Sequence, residues 1–521
     1  MLFAYVSSPA WASTITVNSL ADDADGTDGE CTLREAITSA NSDTTSGTAT
    51  GECAAGSGDD VIDIGVTGTV NLTGALPPLS SNIEIEGPGV DQFTVRRNTG
   101  GNYVIFRVGS GADVSLSGMT ITNGNTEVTD IGGGIYNDQG TLTVTDSTVS
   151  DNAADVVGGI LSFGGTLTVT DSTVSDNSAL SGGGIYNQGG AIRATITRST
   201  ISGNSADLGG GVYTNTDNLQ DRKALTITNS TISGNTATTV GAGVYNSFGL
   251  TVIEFSTITN NTAPSGKGSG VSSQGSDSAR TNVLSSIISA STNTDVDFFN
   301  APTNTFASRG YNLIGDGNAT GAFNKTGDRT KVSDPKLDPL GSYGGPTQTH
   351  RLQSDSPAED AGPPTDGDPI ACPPPATDQR GVSRPQDGDA DSTPACDIGS
   401  FELVKPPDTQ APKVISTFPP NGGEVGPAAN IRATFSEDMR KGSVLNAFKL
   451  FKKGSTNQIA AQVSYDAATD KATLNPNNNL RREVTYKAVV STWAKDVAVN
   501  RLDQNPSLEG LQKKVWFFEI D

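Results

Sequence analysis

The side chains with the clearest potential for chemistry are aspartates that recur at turn positions of a repeated segment. Asp146 and Asp171 hold equivalent places in two copies of the segment, and Arg198 holds the same place in the next copy. Asp151 and Asp176 form a second equivalent pair. Paired carboxylates act as general acid and base in glycoside hydrolysis, whereas a polysaccharide lyase combines carboxylate-bound calcium with an Arg or Lys base. Because these acids are duplicated and the repeats contain no histidine, the sequence favours solvated turns over a catalytic site.

Two acidic loops outside the repeats could bind a cation. Carboxylates alternate with other residues in 23–30 and again in 387–391. Calcium loops use this spacing because successive odd positions converge on one ion. Neither loop completes the twelve-residue pattern with a terminal Glu, so ordinary turns are the alternative. Calcium is the one cofactor that the sequence suggests, and its candidate ligands are Asp23, Asp25, Asp28, Asp387, Asp389 and Asp391.

The four cysteines fall into two local pairs that flank the repeats. Three connectivities are possible, and we expect the local bridges Cys31–Cys53 and Cys372–Cys396. Paired cysteines are typical of an oxidising compartment. His350 is the only histidine and there is no Cys-x-x-Cys motif, so the sequence does not predict a structural zinc site.

The acids must be positioned by the repeat itself, whose copies have periods of roughly 25 to 32 residues. A unit this short cannot bury a core alone, so the units must stack. Apolar residues alternate with threonine in short strands such as Thr141–Thr145, and Gly, Asn, Asp and Ser clusters separate the strands. This pattern predicts a right-handed parallel β-helix of about ten coils. The copies begin at Gly132, Gly158, Gly182, Gly209, Gly241 and Gly268.

Alignment of the copies produces columns of equivalent residues. Stacked coils turn the two aliphatic columns into continuous ridges of packing, and the Asn column predicts a ladder of side-chain amides that bond to the next coil. The tyrosine column leaves two interpretations open, a flat surface that stacks on sugars or a ladder that covers the coil. The columns are Val144, Val169, Ile196, Ile227 and Ile253; Val149, Val174, Ile201, Ile232 and Ile258; Asn152, Asn177, Asn204, Asn235 and Asn261; and Tyr136, Tyr186, Tyr213 and Tyr245.

One amphipathic helix precedes the repeats, over residues 31–41. Thr32 can serve as its N-cap, with Glu35 at the capping-box position. Its apolar stripe would otherwise have no partner, so we expect the helix to cover the open end of the β-helix core.

Charge and hydropathy exclude several function classes. The net charge of −23 argues against nucleic-acid binding and against anionic membrane surfaces. Residues 1–12 contain a short apolar run followed by Ala10-Trp11-Ala12, which fits the end of a secretion signal. No other apolar run approaches membrane-spanning length, so no integral membrane segment is expected.

Several runs resemble families of bacterial surface proteins. Cys31–Ile37, with Gly51–Gly58 after it, resembles the CSLREA domain, and the Gly-Gly-Gly-Ile-Tyr-Asn repeats resemble polymorphic-outer-membrane-protein repeats. Gly310–Gly315, Asp378–Gly381 and Cys396–Glu402 are similar to the choice-of-anchor Q domain. These resemblances imply secretion or surface display and bring no established catalytic residues.

The chain changes character after residue 404. A Pro-rich run over 405–412 reads as a linker. Short alternating strands then predict a β-sandwich, and this segment resembles the SbsA-type Ig-like domain, a spacer in S-layer proteins. The predicted strands are Lys413–Phe418, Ile431–Phe435, Phe448–Phe451, Gln462–Tyr465, Val484–Val490 and Val515–Ile520.

The sequence therefore predicts an all-β protein, in which a right-handed parallel β-helix with a short N-terminal capping helix precedes an Ig-like β-sandwich. We expect a secreted or surface-displayed bacterial protein that acts in adhesion or as a structural spacer, with a surface glycan or protein as its partner. A polysaccharide-active enzyme, lyase or glycoside hydrolase, and a carbohydrate-binding protein are the alternatives. The expected boundaries are 1–12 for the signal remnant, 13–58 for the cap, 59–325 for the β-helix, 326–404 for the choice-of-anchor Q-like segment, 405–412 for the linker and 413–521 for the Ig-like domain.

Overall fold

The chain divides into two compact units, Met1–Lys405 and Pro406–Asp521. Strands dominate both units, as the sequence predicts. The expected signal remnant lies outside the described residues. The computed structural model describes residues 13–126, 132–189, 193–216, 223–274, 279–299, 306–364, 372, 375–388, 394–404, 410–497 and 499–521.

The first unit is a parallel β-solenoid with one α-helix near its start, α1 (Leu33–Ser42), and a 3-10 turn (Thr320–Ala322) near its end. Its strands are β1 (Ser13–Val17), β2 (Asp60–Ile64), β3 (Gly68–Leu72), β4 (Ile83–Glu86), β5 (Phe93–Arg97), β6 (Phe106–Val108), β7 (Asp113–Ser117), β8 (Thr120–Thr122), β9 (Asn125–Thr126), β10 (Ile135–Asp138), β11 (Thr141–Thr145), β12 (Thr148–Ser150), β13 (Ala153–Ala154), β14 (Ile160–Phe163), β15 (Thr166–Thr170), β16 (Thr173–Ser175), β17 (Ile185–Gln188), β18 (Arg193–Thr197), β19 (Thr200–Ser202), β20 (Ser205–Leu208), β21 (Val212–Asn215), β22 (Lys223–Thr228), β23 (Thr231–Ser233), β24 (Thr236–Val240), β25 (Val244–Glu254), β26 (Thr257–Thr259), β27 (Val271–Gln274), β28 (Ala279–Leu284), β29 (Ile287–Ile288), β30 (Val296–Phe299), β31 (Phe306–Ser308) and β32 (Leu313–Ile314).

Successive coils pair strand for strand. In the repeat region β10, β11 and β12 belong to one coil and pair in parallel with β14, β15 and β16 of the next. Ten such short strands form one sheet along the solenoid, β3, β5, β8, β12, β16, β19, β23, β26, β29 and β32. At a strand spacing of about 4.8 Å, ten stacked strands extend over roughly 43 Å.

The predicted aliphatic columns are confirmed as the core of the solenoid. Val144 is in register with Val169, and that column continues through the next coils to Ile253. Val149 is likewise in register with Val174, and its column continues to Ile258. Every residue in these columns is fully buried. The alternation of apolar residues and threonines therefore sets which side of each strand faces the core.

The Asn column is confirmed as a ladder of side-chain hydrogen bonds. Asn177 Nδ2 donates to Asn204 Oδ1 at 2.9 Å, and Asn204 Nδ2 donates to Asn235 Oδ1 at 3.0 Å. The backbone N–H of each Asn also donates to the carboxamide oxygen of the next, as Asn177 N does to Asn204 Oδ1 at 3.0 Å. From Asn152 to Asn261 the column is buried, so each carboxamide satisfies backbone groups that water does not reach.

The N-terminal cap has the predicted form. Thr32 is the N-cap of α1 and makes a reciprocal capping box with Glu35. The helix buries Leu33, Ala36 and Ile37 in the same core cluster as the first coils. Strand β1 adds to the sheet by pairing in parallel with β2. The apolar end of the solenoid is thereby covered and its first strand edge is paired.

Both expected disulfides are present, Cys31–Cys53 in the cap and Cys372–Cys396 beyond the solenoid. We predict that Cys31→Ala with Cys53→Ala lowers the free energy of unfolding by about 3 kcal/mol, because the bridge restricts the unfolded chain over a separation of 22 residues. Chemical denaturation of oxidised wild type and variant measures the difference. Equal stabilities would contradict the prediction, and reductant should affect the variant less than the wild type.

After the last coil the chain turns back and packs along the solenoid. We name the described residues between 334 and 404 the strap. An apolar cluster joins it to the last coils, in which Leu352, Ile398 and Phe401 pack against Ile287 and Leu313. Hydrogen bonds then fasten it to the threonine and serine side chains of β19, β23 and β26. The strap thus covers one face of the later coils.

The second unit is a sandwich of two four-stranded sheets around one core, with α2 (Lys441–Ala447) beside it. The strand orders are β33-β35-β38-β37 and β34-β40-β39-β36. The fold class predicted from the sequence is therefore confirmed for both units. The strands are β33 (Val414–Phe418), β34 (Gly423–Val425), β35 (Ile431–Phe435), β36 (Phe448–Lys452), β37 (Ala461–Asp466), β38 (Lys471–Pro476), β39 (Val484–Val490) and β40 (Lys514–Ile520).

In the described parts of the chain, no helix has both the length and the apolar content that a membrane span requires.

Candidate functional site

The acidic turn column brings together Asp146, Asp171 and Arg198 on three successive coils, as the repeat predicts. Arg198 Nε donates to Asp171 Oδ1 at 2.8 Å, and Arg198 Nη2 donates to Asp171 Oδ2. This bidentate hydrogen bond raises the pKa of Arg198. Burial, followed by the neighbouring charge of Asp171, raises the pKa of Asp146. An arginine held in this way is a poor proton acceptor, so Arg198 is not suited to act as the base of a lyase.

Backbone conformation explains why aspartate occurs at these turns. Asp146, Asp171 and Arg198 have φ angles of 47°, 49° and 48°, in the left-handed region. The same column continues with Asn229 at 47°. Asp and Asn tolerate this region better than other residues that carry a Cβ. The first role of the column is therefore to turn the chain between strands.

The second acidic pair occupies another left-handed column. Asp151 and Asp176 have φ angles of 55° and 56°, and Gly203 follows on the next coil at 66°. A Cβ on Gly203 would lie 2.3 Å from Asp176 Oδ1, so a side chain at this position would require the Asp176 carboxylate to move. These positions too are explained by turn geometry.

The tyrosine column forms a ladder that covers the coil, one of the two interpretations that the sequence left open. The ring centroids of Tyr186 and Tyr213 are 4.3 Å apart, and those of Tyr213 and Tyr245 are 4.9 Å apart. Val157 and Leu161 pack against them, and all three rings are buried. Burial raises the pKa of Tyr245 to about 12. Because the ring faces contact one another, they are not available to stack on a sugar.

Tyr136 differs from the rest of its column. It is half-buried, and the guanidinium carbon of Arg107 lies 5.2 Å from the ring centroid. Both residues line a cavity of about 240 Å³ together with Leu76 and Tyr103.

The calcium candidates of the N-terminal loop accept hydrogen bonds within the loop. Asp25 Oδ1 accepts from Thr27 Oγ1 at 2.6 Å, and Asp28 Oδ1 accepts from the Glu30 N–H at 2.9 Å. Asp23 contributes its carbonyl oxygen to Thr32 Oγ1 at 3.0 Å. In the second loop Asp387 is described, whereas Asp389 and Asp391 lie outside the described residues. No group of three His, Cys, Asp or Glu residues that could hold a metal occurs within the described ranges.

Calcium binding by the N-terminal loop stays a prediction. If Asp23, Asp25 and Asp28 bind the ion, millimolar calcium will raise the melting temperature, because a ligand of the folded state stabilises it. Asp25→Asn with Asp28→Asn should abolish that rise, and magnesium serves as the control ion. A melting temperature that ignores calcium would reject the site.

Arg384 and residues of two motif runs of the strap, Asp378–Gly381 and Cys396–Glu402, assemble into a buried network of charged groups. Arg384 Nη1 donates to Glu402 Oε2 at 2.6 Å, and its guanidinium also donates to the carbonyls of Asp397 and Gly399 at 3.0 and 2.7 Å. Asp378 Oδ2 accepts from Arg380 Nη2 at 2.7 Å and from the Glu402 N–H at 2.9 Å. Except for Arg380, these residues are nearly inaccessible to solvent.

The network contains one more acid than it has arginines. Burial raises the pKa of Glu402 to about 7, although the Arg384 charge opposes the shift. Burial, followed by the charge of Glu402, raises the pKa of Asp397 well above its usual value. The excess negative charge therefore favours a proton on one of these two carboxyl groups. We interpret the network as an internal fastening of the strap.

Gln379 fastens the strap to the solenoid. Its Nε2 donates to Thr200 Oγ1 at 3.1 Å and to the Ser199 carbonyl at 3.3 Å, and its Oε1 accepts from Thr231 Oγ1 at 2.7 Å. Ser400 Oγ lies 3.0 Å from Thr231 Oγ1 and 3.1 Å from Thr257 Oγ1. The outward Thr side chains of three coils are thus occupied by strap residues.

The single histidine is part of the same contact. The His350 Nδ1 lies 2.8 Å from the Asp338 carbonyl, which can only accept, so Nδ1 carries the proton. Nε2 then accepts from Ser233 Oγ at 2.8 Å. The ring is buried, and burial lowers the pKa of His350.

A pH dependence follows for His350. In the unfolded chain the imidazole takes up a proton near pH 6.5, whereas the folded protein resists protonation until lower pH. The His350 contribution to stability is thus complete above about pH 6.5 and is lost as the pH falls below it. Relative to His350→Gln, the wild type should lose stability between pH 7.5 and 5.5 in urea denaturation. The raised pKa of Glu402 changes stability with pH in the opposite direction, but it is common to both proteins. If the stability difference between wild type and His350→Gln were the same at pH 7.5 and pH 5.5, the prediction would be wrong.

Sequence reasoning did not anticipate the contact between strap and solenoid. Phe255 illustrates the missed signal, because it occupies the left-handed turn column at φ 48°, an unusual position for a bulky residue. It is fully buried, packs against Leu284 and Cys396, and lies 5.1 Å from the Arg384 guanidinium carbon. An aromatic residue in a column of Asp, Arg and Asn indicated that something covers this turn.

A comparison with protein families identifies the C-terminal unit. Residues 408–519 match the family described as bacterial Ig-like domain. The second unit is an Ig-like domain. Its antiparallel sheets agree with that match. A comparison with curated protein sequences found no match.

The solved structures that are similar to part of the chain include a surface-layer protein and a copper resistance protein. Domains 1–6 of the surface-layer protein SbsC are 19% identical over 21% of this chain and 14% of that chain, with a TM-score of 0.17. PcoC, a methionine-rich copper resistance protein from Escherichia coli, is 17% identical over 22% of this chain and 100% of that chain, with a TM-score of 0.16. This chain therefore spans a small share of the SbsC structure.

Proposed function

We propose that this protein is an extracellular structural element of a bacterial surface, in which the solenoid is a stiff spacer followed in the chain by an Ig-like domain. The observation that carries the proposal is the unbroken ladder from Asn152 to Asn261, buried beside two aliphatic columns. Each coil from Asn152 to Asn261 is bonded to the next through side chains as well as strands. Bending the solenoid would break these bonds together, so the ladder favours rigidity.

Two further features support an extracellular location. The disulfides Cys31–Cys53 and Cys372–Cys396 suit an oxidising compartment. The resemblance of the cap to CSLREA domains and of the strap to choice-of-anchor Q domains implies export and display. Adhesion is compatible with this structural role, but an adhesive function would also require a ligand that the protein binds.

Surface labelling tests the location. Antibodies raised against the folded protein should label intact source cells or appear with secreted material, and protease added to intact cells should remove the signal. A cytoplasmic protein of the same cells provides the negative control. Labelling only after permeabilisation would reject the proposal.

Purified protein tests the structural role against the enzymatic and binding alternatives. We expect acidic and neutral polysaccharides to remain intact with and without calcium, because Arg198 is held in a bidentate pair with Asp171. Turnover that disappears in Asp171→Ala would replace the structural role with a lyase. A glycan array run in parallel tests adhesion, since specific binding would add a ligand to the spacer.

A further inference from the structure

The second disulfide encloses residues that fasten the strap. Gln379 and Arg384 lie between Cys372 and Cys396, which are 24 positions apart in the chain. The run that begins at Cys396 supplies the partner of the buried arginine, because Glu402 Oε2 accepts from Arg384 Nη1 at 2.6 Å. The disulfide therefore joins covalently two segments whose side chains are also bonded to each other.

The same disulfide lies against the solenoid. Cys396 is fully buried and packs with Phe255 and Leu284 in one apolar cluster, and Cys372 packs against that cluster. Phe255 belongs to the left-handed turn column and Leu284 ends β28, so both contacts come from the solenoid. The disulfide is thus itself part of the contact between strap and solenoid.

Apart from this bridge, side-chain contacts hold the strap in place. No helix or strand of the described chain lies within the strap. Gln379 bonds to Thr200 and Thr231 of the solenoid, and Ser400 bonds to Thr231 and Thr257. Each such hydrogen bond contributes little by itself, so these contacts depend on acting together. The cross-link favours them because it keeps the two segments of the strap at a high effective concentration.

The two disulfides of the chain differ in their surroundings. Cys31 and Cys53 are 1% and 2% exposed and belong to the core cluster of the cap and first coils. Cys372 is half-buried, so the strap disulfide is open on one side. Thiol–disulfide exchange requires a thiolate to reach a sulfur atom directly. Access therefore favours exchange at Cys372 and protects the disulfide of the cap.

We propose that the Cys372–Cys396 disulfide is a redox latch, whose reduction by a dithiol releases the strap from the later coils while the cap disulfide stays intact. The oxidised protein is the closed form, and the reduced protein is the open form. The inference adds a switch to the solenoid and does not depend on the proposed structural function.

The opening reaction is a two-step exchange. One thiolate of the dithiol attacks Cys372 Sγ and forms a mixed disulfide, and the electron pair of the broken bond leaves on Cys396 Sγ, which takes up a proton. The second thiolate of the reductant then attacks its own sulfur in the mixed disulfide and displaces Cys372 Sγ, which is also protonated. The protein gains two electrons and two protons, and the dithiol becomes a cyclic or intramolecular disulfide.

Opening the latch would uncover a surface that the closed form hides. The hydroxyl groups of Thr200, Thr231 and Thr257 are buried under the strap, as is the ring of Phe255. The equivalent threonines of the earlier coils, such as Thr173, lie beyond the strap and are half-buried. Reduction would therefore extend the open threonine face of the earlier coils along the later ones and expose an aromatic ring beside it.

Stepwise reduction of the folded full-length protein tests the latch. Dithiothreitol is added in increasing amounts without denaturant, free thiols are trapped with iodoacetamide, and labelled peptides are assigned by mass spectrometry. Cys372 and Cys396 should become labelled at least about tenfold faster than Cys31 and Cys53.

Hydrogen exchange on the same samples reports whether the strap is released. The N–H groups of Gln379 and Ile398 donate to the carbonyls of Ser400 and Ala358 at 3.0 and 2.9 Å. After reduction they should exchange at least about tenfold faster, because the strap opens locally. The N–H of Asn177 in the ladder should exchange as before.

Two double variants make the assignment specific. Cys372→Ser with Cys396→Ser should show the exchange pattern of the reduced protein without any reductant. Cys31→Ala with Cys53→Ala should keep a protected strap that still opens when dithiothreitol is added. The two measurements on reduced wild type stand even if one of these variants does not fold.

Three outcomes would overturn the inference. The four cysteines could become labelled together, the strap could stay protected after Cys372 and Cys396 are reduced, or the ladder could lose its protection along with the strap. The first would show that the bridges differ little in access, the second that the bridge is not needed to hold the strap, and the third that it supports the whole solenoid. Each result leaves the proposed surface role to the labelling of intact cells, which tests it separately.

Discussion

Replacing Arg384 with methionine will lower the free energy of unfolding of the solenoid unit by about 3–5 kcal/mol, the cost of removing one partner from a buried ion pair. The side chains of Arg384 and Glu402 are 1% and 0% exposed. Methionine approximates the length of the arginine side chain but removes the guanidinium that donates to the Glu402 carboxylate and to two carbonyl oxygens, so the carboxylate keeps only backbone donors. Urea denaturation measures the loss, and protection of strap amides in hydrogen exchange locates it.

The pH dependence of this variant distinguishes charge from packing. Without Arg384 the buried Glu402 carboxyl group is less costly when it is protonated than when it is charged. The loss in free energy of unfolding should therefore grow as the pH rises from 5 to 8. Adding Glu402→Gln should recover part of the stability and remove the pH dependence. A loss of the same size at every pH would indicate a packing defect instead.

Arg309 supplies the matched control. Its ion pair with Glu254 joins an arginine that is 49% exposed to a carboxylate that is 19% exposed. Arg309→Met should cost less than about 1 kcal/mol, because solvent and salt screen a pair at the surface. Comparable losses for Arg309→Met and Arg384→Met would contradict the role that we assign to burial.

Replacing Asn204 with alanine will lower the free energy of unfolding by about 3–5 kcal/mol, since two buried donors and two acceptors lose their partner. Asn204 Oδ1 accepts from both the backbone N–H and Nδ2 of Asn177, and Asn204 Nδ2 donates to Asn235 Oδ1 and to the Val174 carbonyl at 2.9 Å. No water reaches the site, because Asn204 is fully buried. Thermal or urea denaturation measures the effect.

The next residue provides an internal control for the ladder. Ser205 is exposed, so Ser205→Ala should change stability by less than about 0.5 kcal/mol. Asn204→Asp separates the accepting from the donating role, because a carboxylate keeps the acceptor and loses the donor. That variant should lose stability further as the pH rises and the buried acid ionises. If Asn204→Ala were as stable as Ser205→Ala, the ladder would contribute little to rigidity.

Periodicity made the solenoid predictable from sequence, because identical coils repeat the same environment. The registers Val144–Val169 and Asn152–Asn177 follow from alignment of the copies alone. In the Ig-like domain, strands with clear alternation such as β35 and β39 have the predicted bounds. Strand β38 was missed because only Ala472 and Leu474 face the core, and its end is rich in Asn and Pro.

The strap could not be predicted because its contacts have no period. Gln379 and Thr231 are joined by a hydrogen bond but are 148 positions apart in the chain. The strap backbone around Gln379 is largely irregular. Asp378 and Glu402 were recognised only within runs that resemble a family, and Arg384 was not singled out. The role of these residues becomes apparent only in the structure, where their charged groups are buried together. Hydrogen bonds between irregular segments leave no periodic pattern in the sequence of either segment.

The strap also determines where this molecule can change its length. Its hydrogen bonds reach from Arg198 to Ser285, which fixes the spacing of those coils. Residues 140–152 and 165–177, which are identical in sequence, lie on the uncovered side of that boundary. There, each coil contacts only its neighbours, so duplication of one coil adds about 4.8 Å without disturbing the rest. The identity of the two copies is what such a duplication would leave, and each added coil would lengthen the solenoid by one whole step.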